Sequence, residues 1–145
     1  LADLYRIAEG DVVLIASNSG RNAYPVELAL KAKERGASVV AITSRAHSDA
    51  TTSRDPSGKH LLDVADVVID NCGVPGDACM EIEGVRTAMC PTSSMANAFI
   101  VQAISVLSAE LIVEGGGEPP VFVSLNSQGT EHVNDELFSM YTRLY

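Results

Sequence analysis

The sequence predicts an α/β fold of three layers, a parallel sheet between helices. Two observations predict it. Short apolar runs of strand length, at 12–16, 38–43 and 66–70, alternate with segments of helical period. The connections around the first two runs are short, with Ser, Gly and Asn where the period breaks. A strand, helix, strand unit of this kind pairs its strands in parallel through a right-handed crossover.

Each element follows from its residues. Leu1, Leu4, Tyr5 and Ala8 share one face, so residues 1–9 read as the end of a helix, closed by Gly10 and Asp11. The run from Val12 to Ala16 reads as a buried parallel strand. Ala23 to Arg35 reads as a helix, with Val26, Leu28, Ala29, Leu30 and Ala32 inward and Lys31, Lys33, Glu34 and Arg35 outward. Pro25 lies in its first turn, where a missing N–H does little harm, and Gly36 stops it. Ser38 to Thr43 is the second strand. Residues 44–59 lack an apolar period and carry Pro56 and Gly58, which reads as loop. A short helix over 60–65 and a third strand over 66–70 follow, then loop over 71–77. Short extended pieces are expected around Gly84, within 81–89.

About residues 95–113 the sequence becomes apolar nearly all round, including Phe99, Ile100, Ile104, Leu107 and Leu111. Such a helix is expected to be buried on more than one side, in the core or against a second subunit. A Gly/Pro break spans 114–120, Val121 to Val123 is a short extended run, and a last helix covers 133–144.

The bulk numbers exclude several function classes. A chain of 145 residues with 46% hydrophobic content suits one globular domain rather than a disordered segment. Ten basic against 19 acidic residues leave a net charge of −9, with no basic run, so nucleic acid is not expected as a partner. No run is expected to span a bilayer and no membrane partner is expected. A small anion remains open to it, because a local helix terminus outweighs distant charge within a Debye length of about 8 Å. Three cysteines, Cys72, Cys79 and Cys90, suit reduced thiols and a cytoplasmic location. The chain opens at Leu1 in helix-like sequence, and native sequence is expected before it.

The stretch Ser17-Asn18-Ser19-Gly20-Arg21-Asn22 joins the first strand to its helix. A helix start leaves backbone N–H groups unpaired and favours negative charge. A phosphate there would accept those amides, the hydroxyls of Ser17 and Ser19, and a charge-assisted bond from Arg21. Gly20 lets the backbone approach closely. The same residues also read as an ordinary strand-to-helix turn with Ser19 or Asn22 as its cap. In α/β sheets ligands gather at the carboxyl ends of strands, where Thr43 and Ser44, and Asn71 and Cys72, also fall. Thr92, Ser93 and Ser94 open the long helix and exceed what one cap needs, so ligand contact is expected of them too. No zinc-like Cys or His spacing is present, and no metal or cofactor is expected. His47, His60 and His132 lie in polar segments, with His60 or His132 available as an acid or base. Glu81 and Glu83 would share a strand face, where solvated carboxylates are the commoner case.

The 17–22 loop, followed by Lys31-Ala32-Lys33-Glu34-Arg35-Gly36-Ala37 and Val40-Ala41-Ile42-Thr43-Ser44, resembles the sugar isomerase (SIS) domain. Asn22 stands where many members carry Ser or Thr. Cys90 to Asn97 and Pro119 to Asn126 look like a poorly characterised subgroup, similar to phosphoheptose isomerases and N-acetylmuramic acid 6-phosphate etherases. The resemblance implies a flavodoxin-like sheet that binds a phosphorylated sugar, in a homodimer or homotetramer. It implies phosphate held by Ser17, Ser19 and Gly20, with Thr43 and Ser44 near it and Thr92, Ser93 and Ser94 lining the pocket. It also implies that the family's first helix and strand are missing here, and with them part of the pocket. Catalysis by this stretch alone is therefore not expected. The intact protein is expected to bind, and as an aldose–ketose isomerase to convert, a sugar phosphate. The alternative is a non-catalytic sensor or assembly module.

Overall fold

The computed structural model describes residues 2–124, 126 and 132–141. The chain divides into two compact units, residues 1–101 and residues 102–145.

The first unit is α/β. Strands β1 (Val12–Ala16), β2 (Ser38–Thr43) and β3 (Val67–Asp70) form a parallel sheet in that order. Val12 pairs with Ser38 and Val40 with Val67, so the strand tips lie side by side. Helices α1 (Ala23–Glu34), α2 (Arg45–Asp49) and α3 (Leu61–Val64) connect them. Ala29 and Ala32 of α1 and Leu61 of α3 pack with Ile15, Val39 and Ala41 in one buried cluster. The small side chains let α1 lie close to the sheet, and burying the cluster is the main local drive to fold. By strand alternation Val12, Leu14 and Val67 point to the other face, and all three are exposed. Lys33 ties Asp66 to α1, and the same carboxylate accepts from the Val39 amide at 2.8 Å.

The predicted strands and α1 agree with the structure to within a residue. Several expectations need correction. Residues 2–9 form turns rather than a helix, with bonds from Arg6 N to Asp3 O and from Ile7 N to Ala2 O. The 44–59 loop contains α2, because Ser44 Oγ accepts the His47 amide at 3.0 Å and caps it. The extended pieces lie outside 81–88: β4 (Ala78–Met80) and β5 (Met89–Pro91) pair antiparallel, and Gly84 belongs to the turn between them. Residues 121–123 form no strand.

Helix α4 (Thr92–Glu114) begins earlier than predicted and has no buried residue. Met95 and Phe99 are about three-quarters exposed. This corrects the expectation of burial within the chain: all-round apolar sequence calls for a cover, but the described residues do not provide one. By length and composition α4 is also long and apolar enough to cross a membrane, which corrects the reading that no run reaches that length. Its 23 helical residues rise about 34 Å.

In the second unit, α5 (Val133–Tyr141) follows the Gly/Pro break. Asn134 bonds both the N–H and the C=O of Val123 at 2.9 Å, and Phe122 packs on Phe138 with ring centres 5.0 Å apart. The end of the predicted helix, 142–144, lies outside the described residues.

Candidate functional site

The loop after β1 is shaped by backbone bonds. Ser17 N continues the sheet by bonding Ile42 O at 2.9 Å, and Gly20 N turns back to Ser17 O at 3.1 Å. Gly20 has φ +60°, and a Cβ there would stand 3.3 Å from both Leu61 Cβ and Thr43 Oγ1. The site therefore requires glycine for conformation and for space. Gly20 O accepts from Leu61 N at 2.8 Å and Arg21 O from Arg54 N at 2.7 Å, which stitch the loop to the segment before α3. Ser19 Oγ lies 3.5 Å from the Arg21 amide. Arg21 Nε is buried, with no partner among the described residues.

Asn22 is the N-cap of α1 by position, but its side chain makes no capping bond, and the first turn holds no acidic residue. Its Oδ1 instead accepts from Arg54 at 3.2 Å. The positive end of α1 is thus left without an internal counter-charge.

Thr43 and Ser44 are fully buried. Thr43 Oγ1 donates to Asn18 O at 3.1 Å, and the Ser44 amide reaches the same carbonyl at 2.9 Å. Ser44 Oγ donates to Gly73 O at 2.5 Å. Both side chains hold the strand tips together from beneath the loop.

Three asparagines meet above them. Asn71, at the tip of β3, donates from Nδ2 to Asn18 Oδ1 and to Asn97 Oδ1, each at 2.9 Å, and accepts the Gly73 amide at 3.0 Å. Asn18 Nδ2 lies 3.3 Å from His47 Nδ1. A Cβ on Gly73 would come within 3.0 Å of Asn71 Oδ1 and 3.1 Å of Asn18 Oδ1, so this network also depends on a glycine. The network brings together the 17–22 loop, α2, the β3 tip and the first turns of α4. The sequence placed Asn71 at a strand tip but did not reveal its partners. Asn97 and His47 were missed as members, since an amide or imidazole in a helix carries no spacing signal of its own.

The start of α4 is occupied. Asp77 Oδ1 accepts the Ser93 amide at 2.8 Å and lies 3.1 Å from Thr92 Oγ1, while Asp77 Oδ2 accepts Ser93 Oγ at 2.6 Å. The Ser93 hydroxyl, and then the Ser93 amide and the Thr92 hydroxyl, hold the Asp77 carboxyl below the usual carboxylate range. Ser94 is exposed. Sequence reasoning missed Asp77. Its only signal is the Gly76-Asp77 pair, which here forms a left-handed turn with φ +83° and +71°.

The remaining candidates lie apart from the network. Glu81 and Glu83 are exposed in the β4–β5 turn, and His132 is exposed. His60 Nε2 is buried without a partner among the described residues. No group of three metal-ligating side chains occurs among the described residues. The site is a set of neutral amides and hydroxyls beside an open helix start, suited to hydrogen-bonding a polyhydroxy anion.

Residues 1–44 match the SIS domain. Over 97% of its length the chain is 43% identical to a UPF0309 protein of Halalkalibacterium halodurans and 43% identical to another of Caldanaerobacter subterraneus. A UPF0309 protein of Listeria innocua is 41% identical over 93% of the chain. The chain spans 58% of the first two relatives and 55% of the third. The Ser-rich loop after β1 lies inside the matched segment, so residues 1–44 carry the SIS domain match, and over nearly its whole length the chain is similar to UPF0309 proteins.

Proposed function

We propose that this chain carries the anion-gripping part of a phosphosugar-binding domain, with the phosphate at the 17–22 loop. One observation carries the reading: the start of α1 has no cap or acid of its own and lies beside the Asn18–Asn71–Asn97 network. The phosphate takes the α1 amides and the Ser17 and Ser19 hydroxyls, and the amide network takes sugar hydroxyls. In the intact protein the exposed aliphatic face of the sheet is covered, giving the three-layer flavodoxin-like arrangement. Helix α4 packs against protein, in a homodimer or homotetramer in the cytoplasm, as the polar Asn97, Gln102 and Glu110 along it suit.

The test is a thermal-shift panel of sugar phosphates and their unphosphorylated sugars on the intact protein. The phosphates alone should raise Tm, and Ser17→Ala with Ser19→Ala should abolish the rise. An unchanged rise in that double variant removes the loop from the site.

Binding without turnover is the second reading, supported by a network built from amides and hydroxyls with a single imidazole, His47, among its described members. Conversion of an aldose phosphate to its ketose, lost in His47→Asn, would instead identify an isomerase.

A further inference from the structure

We propose that Cys79 and Cys90 form a reversible disulfide that clamps the start of α4. Ala78 pairs with Pro91 and Met80 with Met89, so the register sets Cys79 opposite Cys90 in the hairpin, where Cys90 takes a left-handed φ of +63°. Directly opposed residues of antiparallel strands hold their Cα atoms about 5 Å apart, inside the range a disulfide accepts. Cys79 Sγ already lies 3.4 Å from Cys90 O, and both cysteines are exposed to an oxidant. Partial desolvation, and then the Cys90 thiol beside it, push the Cys79 thiol up.

The oxidant is a low-molecular-weight disulfide such as oxidised glutathione. One cysteine thiolate attacks it, breaks its S–S bond and expels one small thiolate. The second cysteine thiolate then attacks the mixed disulfide, forms the Cys79–Cys90 bond and expels the other small thiolate. The protein loses two electrons and two protons, and the two small thiols carry them away.

The placement gives the bond a consequence. Asp77 lies two residues before Cys79, and Thr92 and Ser93 begin two residues after Cys90. The cross-link therefore closes over the contacts between Asp77, Thr92 and Ser93 at the start of α4. In the reduced protein those contacts and the short β4–β5 ladder hold the hairpin there.

The test uses the intact protein carrying Cys72→Ser, treated with oxidised glutathione under native conditions, alkylated and digested with trypsin. Arg86 lies between the two cysteines, so cleavage leaves residues 60–86 and 87–143 joined only if the bond has formed. The expected product is that joined pair, lighter by two hydrogens than the separate peptides. It should be absent when Cys79→Ser or Cys90→Ser is added. Exchange of the Ser93 amide should slow several-fold on oxidation and recover with dithiothreitol. Separate glutathione adducts on Cys79 and Cys90, or a cross-link seen only after urea denaturation, would overturn the proposal.

Discussion

Two helix starts in this chain receive opposite treatment. The start of α4 is closed by Asp77, which brings a full carboxylate to the Ser93 amide and to the hydroxyls of Thr92 and Ser93. The start of α1 has Asn22 in the same role, yet that side chain turns to Arg54 and leaves the first turn uncapped. Both positions carry hydroxyl residues and both begin a helix. The contrast teaches that a helix terminus becomes an anion seat only where the chain withholds its own anion. Phosphate is therefore expected at α1 and refused at α4, although the residue types at α4 look at least as suitable.

The strongest way to break the contrast is to destroy the loop that keeps α1 open. Gly20→Val forces a branched side chain to φ +60°, against Leu61 and Thr43. It should cost about 2–4 kcal/mol in urea unfolding and remove the phosphate-dependent Tm rise. Asp77→Ala tests the other side. It should cost about 1–2 kcal/mol by removing the cap of α4, while the phosphate response at α1 persists. A response lost in Asp77→Ala would mean that the two termini serve one ligand.

Acid probes the same cap without mutation. The carboxyl of Asp77 is lowered in the folded chain, so its contribution is present above the unfolded pKa of about 4. It is lost as pH falls through the lower folded value. Protection of the Ser93 amide, relative to its intrinsic exchange rate at each pH, should therefore fall below about pH 4, and Asp77→Asn should flatten that dependence. The smallest and sharpest test makes α1 resemble α4. Asn22→Asp should raise stability by about 0.5 kcal/mol through the helix dipole. It should also weaken phosphate binding roughly tenfold by bringing a negative charge to the residue that borders the seat. Undiminished binding in that variant would place the phosphate elsewhere.

The sheet and the first helix were legible because burial repeats along them. Val39, Ala41 and Ile15 fall on one face by alternation, and Val26, Ala29 and Ala32 on another by helical period. The Ser-rich loop was legible as a candidate seat because small residues cluster between a strand and a helix. The network around it was not. Asn71 reaches Asn18 across 53 residues and Asn97 across 26, and a single amide at each end leaves no periodic trace. For α4, hydrophobicity suggested where the helix runs. It could not reveal that the described residues leave the helix uncovered, because composition measures a need for burial and says nothing of what meets it.

The sequence by itself determined the order β1, α1, β2, α3 and β3, the apolar face of α1 and the position of the Gly20 turn, all set by local periodicity and backbone sterics. Only the tertiary structure decided which helix start stays open. That choice depends on Asp77 crossing to Thr92 and Ser93 and on Asn22 turning aside to Arg54. Such polar contacts are specific in geometry and distant in sequence, and they exist only once the strand tips have been brought together.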